Sequence, residues 1–478
     1  MLKTSEQYVE SLRNLKPTVY IRGKRIDSVV DEPLLRPGIN AISLTYEFAQ
    51  NPAYKDIMLS TSHITGKEIS RLLHINVNTD DLLKKLEMTR LLCRTAGCAQ
   101  RYLTHDALNA LFENTYKVDQ VLSTKYHQRF LDYLQYVQEL DLATCVAMTD
   151  AKGDRSKRPH QQSNPDIYLR IVERNKDGIV VRGVKAIVTG APYTHEIIVL
   201  PTRNMTEKDS DYAVSFAIEI DADGIEMVSR EAGRPNDSEA VLSSKYGQAT
   251  AMILFDDVLV PWERVFLAGE WQFAGTLTES FATHHRLSCI GCRAGLGDMI
   301  IGASAKMAEY NGLDPNKVSH IRDKITDLIK YVESFYACGV TSSVFGKETQ
   351  AGNFCPDPIY ANIGKLLQGL HIYDMFKASH EISGGILVTS PYPEDMEIPD
   401  VKVRLSKYLI GKENIPADYR LRVARLLEDI TASYQGGWYS VISIVGGGPP
   451  EAEKIEIMRN YDLEERMSHV EKITGIKD

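Results

Sequence analysis

Apolar residues recur at three- and four-residue intervals through most of the first 140 positions, as in Leu82, Leu83 and Leu86 and again in Leu108 and Leu111. That spacing predicts helices with one buried face. Thr4 followed three positions later by Gln7 fits a capping box and sets the expected start of the first helix. Between about 141 and 270 the pattern changes: Ile167 to Glu173 and Ile179 to Val188 are rich in β-branched residues and are joined through Lys176-Asp177-Gly178, a hairpin signal. Ala213 to Ile220 and Ala251 to Val260 read as further strands. From about 271 the helical period returns, most clearly in the apolar stripe Val318, Ile321, Ile325, Leu328, Ile329, Val332 and Phe335. Pro391 to Pro399 is a turn-rich acidic connection inside this last region. The expected organisation is a helical domain over 1–140, a β-domain over 141–270 and a helical domain over 271–478, an α+β fold that is mainly helical.

Composition narrows the function classes. The chain has 478 residues, 43% of them hydrophobic and 25% charged, which is ordinary for a globular protein of two or three domains. A net charge of -9, with lysines and arginines scattered among acids, leaves no basic footprint for nucleic acid, so a small-molecule substrate is expected. The first residues show no basic segment followed by an apolar run, and no long apolar stretch follows, so a cytoplasmic protein is expected. Cysteines at 93, 98, 145, 289, 292, 338 and 355 are odd in number and widely spread, which argues for reduced thiols or metal ligands rather than a disulfide framework.

Three segments carry candidate chemistry. Ala147-Met148-Thr149-Asp150-Ala151-Lys152-Gly153-Asp154-Arg155 stands where helices give way to strands. Gly153 allows a close backbone approach, Thr149 and Asp150 offer hydrogen-bonding oxygens, and Arg155 could neutralise a phosphate; a polar interdomain loop is the plain alternative. Val188-Thr189-Gly190-Ala191-Pro192-Tyr193-Thr194-His195 ends a strand with amides and hydroxyls suited to a planar heterocycle, or is a simple strand-end turn. His285, Cys289 and Cys292 fall on one helical face, and thiolate and imidazole are ligands that zinc and iron-sulfur centres use, with Cys98 a candidate fourth; buried, unligated cysteines are the competing reading. His284, Tyr102 and Glu279 have equally ordinary structural explanations. No Walker loop, Gly-x-Ser-x-Gly elbow or Rossmann glycine motif is present, and Gly446-Gly447-Gly448-Pro449-Pro450 reads as a turn.

Over nearly its whole length the sequence resembles the family containing 4-hydroxybutyryl-CoA dehydratase and the 4-hydroxyphenylacetate 3-hydroxylases, and is more similar to the dehydratase branch. The resemblance is carried by the 147–155 segment, Ile171-Val172-Glu173-Arg174 with Asp177 to Gly183, Asp211 to Phe216, and His285-Arg286 with Gly291-Cys292. It implies an acyl-CoA dehydrogenase-like fold, a homotetramer, and FAD held by Met148, Thr149, Asp150, Gly153, Arg155, Thr189 and Gly190, with Ser383, Gly384 and Gly385 reaching the flavin of a neighbouring subunit. The dehydratase branch also implies a [4Fe-4S] cluster. Cys98, His285 and Cys292 match three of its ligands, and Tyr102 stands at the fourth, where a phenol is a poor replacement for thiolate. Cys289 as substitute ligand, a cluster with fewer ligands, or no cluster are the alternatives. The branch's active-site tyrosine, glutamate and lysine align with Cys289, Thr250 and Arg293, and the hydroxylases' phenol-binding positions fall on Leu103, Ala107 and near Val146. The resemblance therefore implies a lyase or isomerase acting on a small acyl-CoA, with His285, Cys289 and Arg293 at the substrate. The alternative it carries is a two-component aromatic monooxygenase fed by a flavin reductase; a non-catalytic flavin- or cluster-binding subunit is the third reading.

Overall fold

The structure is a computed structural model that describes residues 2–476. In its N-terminal region α1 (Ser5–Arg13), α2 (Arg36–Gln50), α3 (Lys55–Met58), α4 (Thr79–Ala96), α5 (Tyr102–Leu122) and α6 (Tyr126–Glu139) form the helical layer. Thr4 and Gln7 close the capping box of α1: the Gln7 N–H donates to Thr4 Oγ1 at 3.2 Å and the Thr4 N–H to Gln7 Oε1 at 2.9 Å. Short strands also occur here, β1 (Thr18–Ile21) with β2 (Lys24–Arg25), and β3 (Leu59–Thr61) with β4 (Glu68–Ser70). Such strands are too short to set a readable alternation.

The middle of the chain supplies β5 (Thr144–Ala147), β6 (Arg170–Arg174), β7 (Gly178–Thr189), β8 (Glu196–Val199), β9 (Val214–Glu219), β10 (Ile225–Ser229), β11 (Thr250–Pro261) and β12 (Val265–Ala268). They make a six-stranded sheet in the order β2-β1-β10-β11-β7-β6 and a four-stranded sheet in the order β12-β9-β8-β5. The β6–β7 hairpin turns at Asn175 to Asp177 as its sequence predicts. Val19, Val181, Val199, Ile197, Ile253 and Phe216 are fully buried in one core between these layers. Phe216 of β9 meets Phe255 of β11 edge to face at 6.1 Å, so the two sheets pack directly through aromatic rings.

The C-terminal region begins with α7 (Trp271–Tyr310), a 40-residue helix buried on nearly all sides between Ser280 and Gly297. It is followed by α8 (Ser319–Val344), the hairpin β13 (Lys347–Glu348) and β14 (Phe354–Cys355), α9 (Pro358–Ser383), α10 (Ile386–Thr389), α11 (Pro399–Tyr408), α12 (Ala417–Thr431), α13 (Tyr434–Val445), α14 (Pro450–Asn460) and α15 (Leu463–Thr474). Two glycines bring α7 against α4. A Cβ on Gly291 would lie 2.7 Å from the Leu86 carbonyl oxygen, and one on Gly295 would lie 2.5 Å from the Arg94 nitrogen. Glycine at these positions lets the two backbones touch, and that contact aligns the thiols described next. Among the described residues no helix is long and apolar enough to cross a membrane.

Candidate active site

Helix α4 ends at Gly97, whose φ of +71° turns the chain into a four-residue link carrying Cys98 before α5 begins at Tyr102. The Cys98 Sγ lies 3.6 Å from the Tyr102 hydroxyl. On the facing surface of α7, Cys292 interacts with Cys98 and with a thiol the sequence reading did not single out, Cys93 in the last turn of α4. Arg293 is buried beside them, its Nη1 donating to Cys292 Sγ at 3.1 Å and its Nε to Ser443 Oγ at 2.5 Å. Hydrogen bonds from Cys93 and Cys98, with the charge of Arg293, hold the Cys292 thiol far below its ordinary range, whereas burial pushes Cys93 far above it. Cys292 is thus a buried sulfur that faces a guanidinium, and Arg293 is turned toward it.

Two turns back on the same face of α7, and stacked on the Tyr102 ring at 6.1 Å, His285 sits between two partners. Its Nδ1 lies 2.9 Å from Asp106 Oδ2, and its Nε2 lies 3.5 Å from Cys289 Sγ. Burial disfavours the imidazolium, but Cys289 and Asp106 outweigh it and raise His285 to about 10. Asp106 is fully buried on α5 and also takes the Lys85 ammonium at 2.7 Å and the Ser288 hydroxyl at 2.8 Å. The glycine run closes this side: Gly447 has φ +76°, a Cβ there would lie 3.4 Å from His285 Cδ2 and 3.8 Å from Cys289 Sγ, and the Gly447 carbonyl accepts from Arg286 Nε at 3.0 Å. Asp106, Lys85, Cys93 and the Gly446-Gly447-Gly448 turn are the site residues that sequence reasoning missed. The spacing of Cys98, Tyr102 and Asp106 by four was the available signal for one of them.

The 147–155 segment runs beside the second half of β7. Lys185 of β7 pairs with Asp150 Oδ1 at 2.9 Å and donates to the carbonyls of Met148 at 2.8 Å and Leu200 at 2.9 Å. Asp150 also accepts the Leu169 N–H at 3.0 Å, so its carboxylate fixes the loop. Desolvation raises the Asp150 carboxyl and lowers the Lys185 ammonium, the pattern of a buried pair. The Thr149 carbonyl accepts the Ala186 N–H at 2.7 Å, and the Thr149 side chain is half-buried. Lys152 and Gly153, at φ +70° and +52°, bend the loop back, and a Cβ at Gly153 would lie 2.5 Å from Gln162 Oε1. Arg155 is exposed at its end.

Gly190, at φ +80°, closes the strand end on Gln100, where a Cβ would lie 1.7 Å from Nε2. The Gln100 amide is 3% exposed, and among the described residues neither its nitrogen nor its oxygen has a hydrogen-bond partner. A buried amide with donor and acceptor both free calls for a polar partner. These features fit a flavin: a heterocycle edge for Gln100 and the Thr189–Gly190 turn, and backbone amides with Arg155 for a phosphate. Ser383, Gly384 and Gly385 lie at the exposed end of α9, the Ser383 hydroxyl donating to Ser379 at 2.8 Å, and no hydrogen bond or ion pair joins them to the 148–155 loop among the described residues. Glu279 is an exposed carboxylate paired with Arg459 at 2.5 Å.

The residues present do not supply the four ligands of a four-iron cluster at the positions the resemblance names: Cys98, His285 and Cys292 offer sulfur and nitrogen, but the place one turn beyond Cys98 carries the Tyr102 phenol, whose proton burial makes hard to remove.

A helical layer, a two-sheet β-domain and a long-helix bundle with a polar loop at their junction define the acyl-CoA dehydrogenase type of fold. A glutaryl-coenzyme A dehydrogenase structure shares it at a TM-score of 0.50 with 14% identity over 80% of this chain and 79% of that one, which speaks for fold alone. The chain belongs to the 4-hydroxyphenylacetate 3-hydroxylase family, matching its N-terminal region over residues 4–267 and its C-terminal region over 274–475. Within that family it is 41% identical to 4-hydroxybutyryl-CoA dehydratase/vinylacetyl-CoA-Delta-isomerase of Clostridium aminobutyricum over 100% of both chains. An oxygen-tolerant archaeal 4-hydroxybutyryl-CoA dehydratase structure from N. maritimus superposes with a TM-score of 0.96 at 36% identity, covering 100% of this chain and 96% of that one. The 4-hydroxyphenylacetate 3-monooxygenase oxygenase component of Thermus thermophilus is 26% identical over 91% of this chain and 89% of its own.

Proposed function

We propose that this chain is an FAD-dependent enzyme of the lyase and isomerase branch, which shifts a double bond along a small acyl-CoA, or dehydrates a hydroxyacyl-CoA, without a four-iron centre. The observation that carries this reading is the line Asp106–His285–Cys289 beside the glycine turn, in a chain 41% identical to a dehydratase/isomerase. FAD, when bound, would supply a planar redox-active ring beside the acyl group. A carbon between a thioester and a vinyl group bears an unusually acidic proton, so the shift needs a base and an acid more than a radical. The C–H bond beside the thioester breaks, its electrons move toward the carbonyl, the proton passes to the Cys289–His285 pair, and it returns two carbons further on as the double bond moves into conjugation. Asp106 positions His285 by holding Nδ1–H, so that Nε2 faces Cys289. Arg293 is held on the Cys292 sulfur at 3.1 Å and the Ser443 hydroxyl at 2.5 Å, and so is given no direct role on the substrate.

FAD is assigned to Met148, Thr149, Gly153, Arg155, Thr189 and Gly190, with Asp150 holding the loop in place. Val388, just after Ser383 to Gly385, is 71% exposed, and Val403 and Tyr408 of α11 are 72% and 73% exposed; this apolar surface supports a subunit contact, as a homotetramer requires. The decisive experiment loads the full chain with FAD and supplies vinylacetyl-CoA, reading the absorbance of the conjugated product. Turnover that falls at least about 100-fold in His285→Gln and Cys289→Ser is the expected outcome. Oxygen uptake with 4-hydroxyphenylacetate and reduced FAD from a flavin reductase, without any turnover of acyl-CoA, would replace this reading by the monooxygenase one.

A further inference from the structure

On the opposite side of α7 from Cys289, a cleft of about 440 Å³ opens between α5, α7 and the β13–β14 hairpin. Glu113 of α5 and Cys355 of β14 line its wall, and His284 of α7 lies beneath. The Glu113 carboxylate, the His284 ring nitrogen and the Cys355 sulfur all lie within 4.8 Å of one another. Nothing in the proposed chemistry uses them.

His284 makes the arrangement unusual. It is 0% exposed, and neither Nδ1 nor Nε2 has a hydrogen-bond partner among the described residues. A neutral imidazole always carries one N–H donor and one lone pair, so a fully buried ring with both idle lacks its ligand. We propose that Glu113, His284 and Cys355 bind a divalent transition-metal ion, Zn²⁺ foremost, with water from the cleft at the fourth position.

The donor set supports this. One thiolate excludes the hard cations Mg²⁺ and Ca²⁺, while thiolate, imidazole and carboxylate together suit zinc. Bonds of about 2.0–2.3 Å in a tetrahedron place ligand atoms about 3.3–3.8 Å apart, so side-chain rotation alone gathers these three. The charges also balance: a dication with a carboxylate and a thiolate is neutral. The nearest buried cation is Lys85, which donates to the His284 carbonyl at 3.0 Å but is already compensated by Asp106 at 2.7 Å. The framework is held independently of the ion, since the Phe354 N–H donates to the Asn76 carbonyl at 2.7 Å and Asn353 Nδ2 to the Asn109 carbonyl at 3.3 Å, tying the hairpin to α5 and the segment before α4. Three protein ligands facing a water-filled cleft is the pattern of an accessible rather than a closed zinc site.

The test strips the full chain with a chelator and titrates it with Co²⁺ as a visible reporter. Expected is one equivalent per chain, with the intense visible bands of a tetrahedral ion and a thiolate-to-cobalt charge-transfer band that Zn²⁺ displaces. Cys355→Ser removes the charge-transfer band, and Glu113→Gln, at the cleft wall, weakens binding at least about tenfold, since even outer-shell partners are worth that much. Cys98→Ser leaves the spectrum intact, which separates this site from the thiols at Cys93 and Cys292. Loss of the bands in Cys98→Ser with retention in Cys355→Ser overturns the proposal. So does the absence of stoichiometric binding to wild-type protein whose near-ultraviolet circular dichroism is native.

Discussion

Asp106 faces Lys85 and His285 at once: its Oδ1 lies 2.7 Å from the Lys85 ammonium and its Oδ2 lies 2.9 Å from His285 Nδ1, with both Asp106 and Lys85 fully buried. One carboxylate therefore serves two cations from α4 and α7, and it fixes the imidazole on which the proposed proton transfer depends. Removing it leaves the Lys85 charge unpaired in the core. Asp106→Ala is expected to cost about 3–5 kcal/mol in urea unfolding, whereas an exposed acid such as Glu10 replaced by Ala stays within about 0.5 kcal/mol. Equal small effects at both positions would mean that the buried pair contributes nothing.

The same contact sets a pH dependence. Cys289 and Asp106 hold His285 at about 10 in the folded chain against 6.5 for a free imidazole. Because the folded value is raised, its contribution to stability is complete below about 6.5 and is lost as pH rises through about 10. The melting temperature should therefore fall progressively across that window. In His285→Gln the fall should be shallower. An identical slope in the variant would show that His285 is not the titrating group.

The flavin assignment depends on the close approach of Gly190 to Gln100. At φ +80°, with a Cβ only 1.7 Å from Gln100 Nε2, Gly190→Ala must both strain the backbone and displace the amide. FAD retention on gel filtration should drop at least about tenfold, for a loss near 1.4 kcal/mol or more of binding. Arg155→Ala, at the exposed loop end, should weaken FAD less and in a salt-dependent manner. Full retention in Gly190→Ala would move the flavin elsewhere.

What the sequence made legible and what it hid divide along physical lines. The helix, strand, helix order was readable because long amphipathic periods dominate it, as in Ile321, Leu328, Val332 and Phe335, which α8 buries, and the strands of β7 and β11, although Ile329 of the expected stripe is exposed. The placement of His285, Cys289 and Cys292 on one helix followed from spacing alone. Hidden were pairings between distant segments: β1 joins β10 in parallel across some 200 residues, and four-residue strands carry no period. Buried charge was also hidden, since Lys85 and Asp106 look like surface positions of ordinary helices until α4, α5 and α7 are packed. Cys93 was overlooked because it lies five residues before Cys98 across the Gly97 turn, a spacing that no straight helix brings together. His284 had an ordinary structural explanation until its two unpartnered nitrogens were seen.

The thiol trio gives the last expectation. Cys93, Cys98 and Cys292 are buried together between α4 and α7, Arg293 Nη1 donates to Cys292 Sγ at 3.1 Å, and the Tyr102 hydroxyl lies 3.6 Å from Cys98 Sγ. A cluster would have to expel the guanidinium from Cys292 and accept a phenol as ligand, so protein reconstituted without oxygen in iron and sulfide should hold less than one four-iron unit per chain and show only the flavin spectrum. Because α4 and α7 touch at Gly291 and Gly295, next to Cys93 and Cys292, Gly295→Ala should separate the helices, cost about 1–3 kcal/mol, and raise the reactivity of the buried thiols toward a thiol reagent. Four iron and four sulfide per wild-type chain, with a broad visible shoulder lost in Cys98→Ala, would show that the site opens to receive a cluster with Cys98 as a ligand, and would favour dehydration at that cluster over the isomerisation proposed.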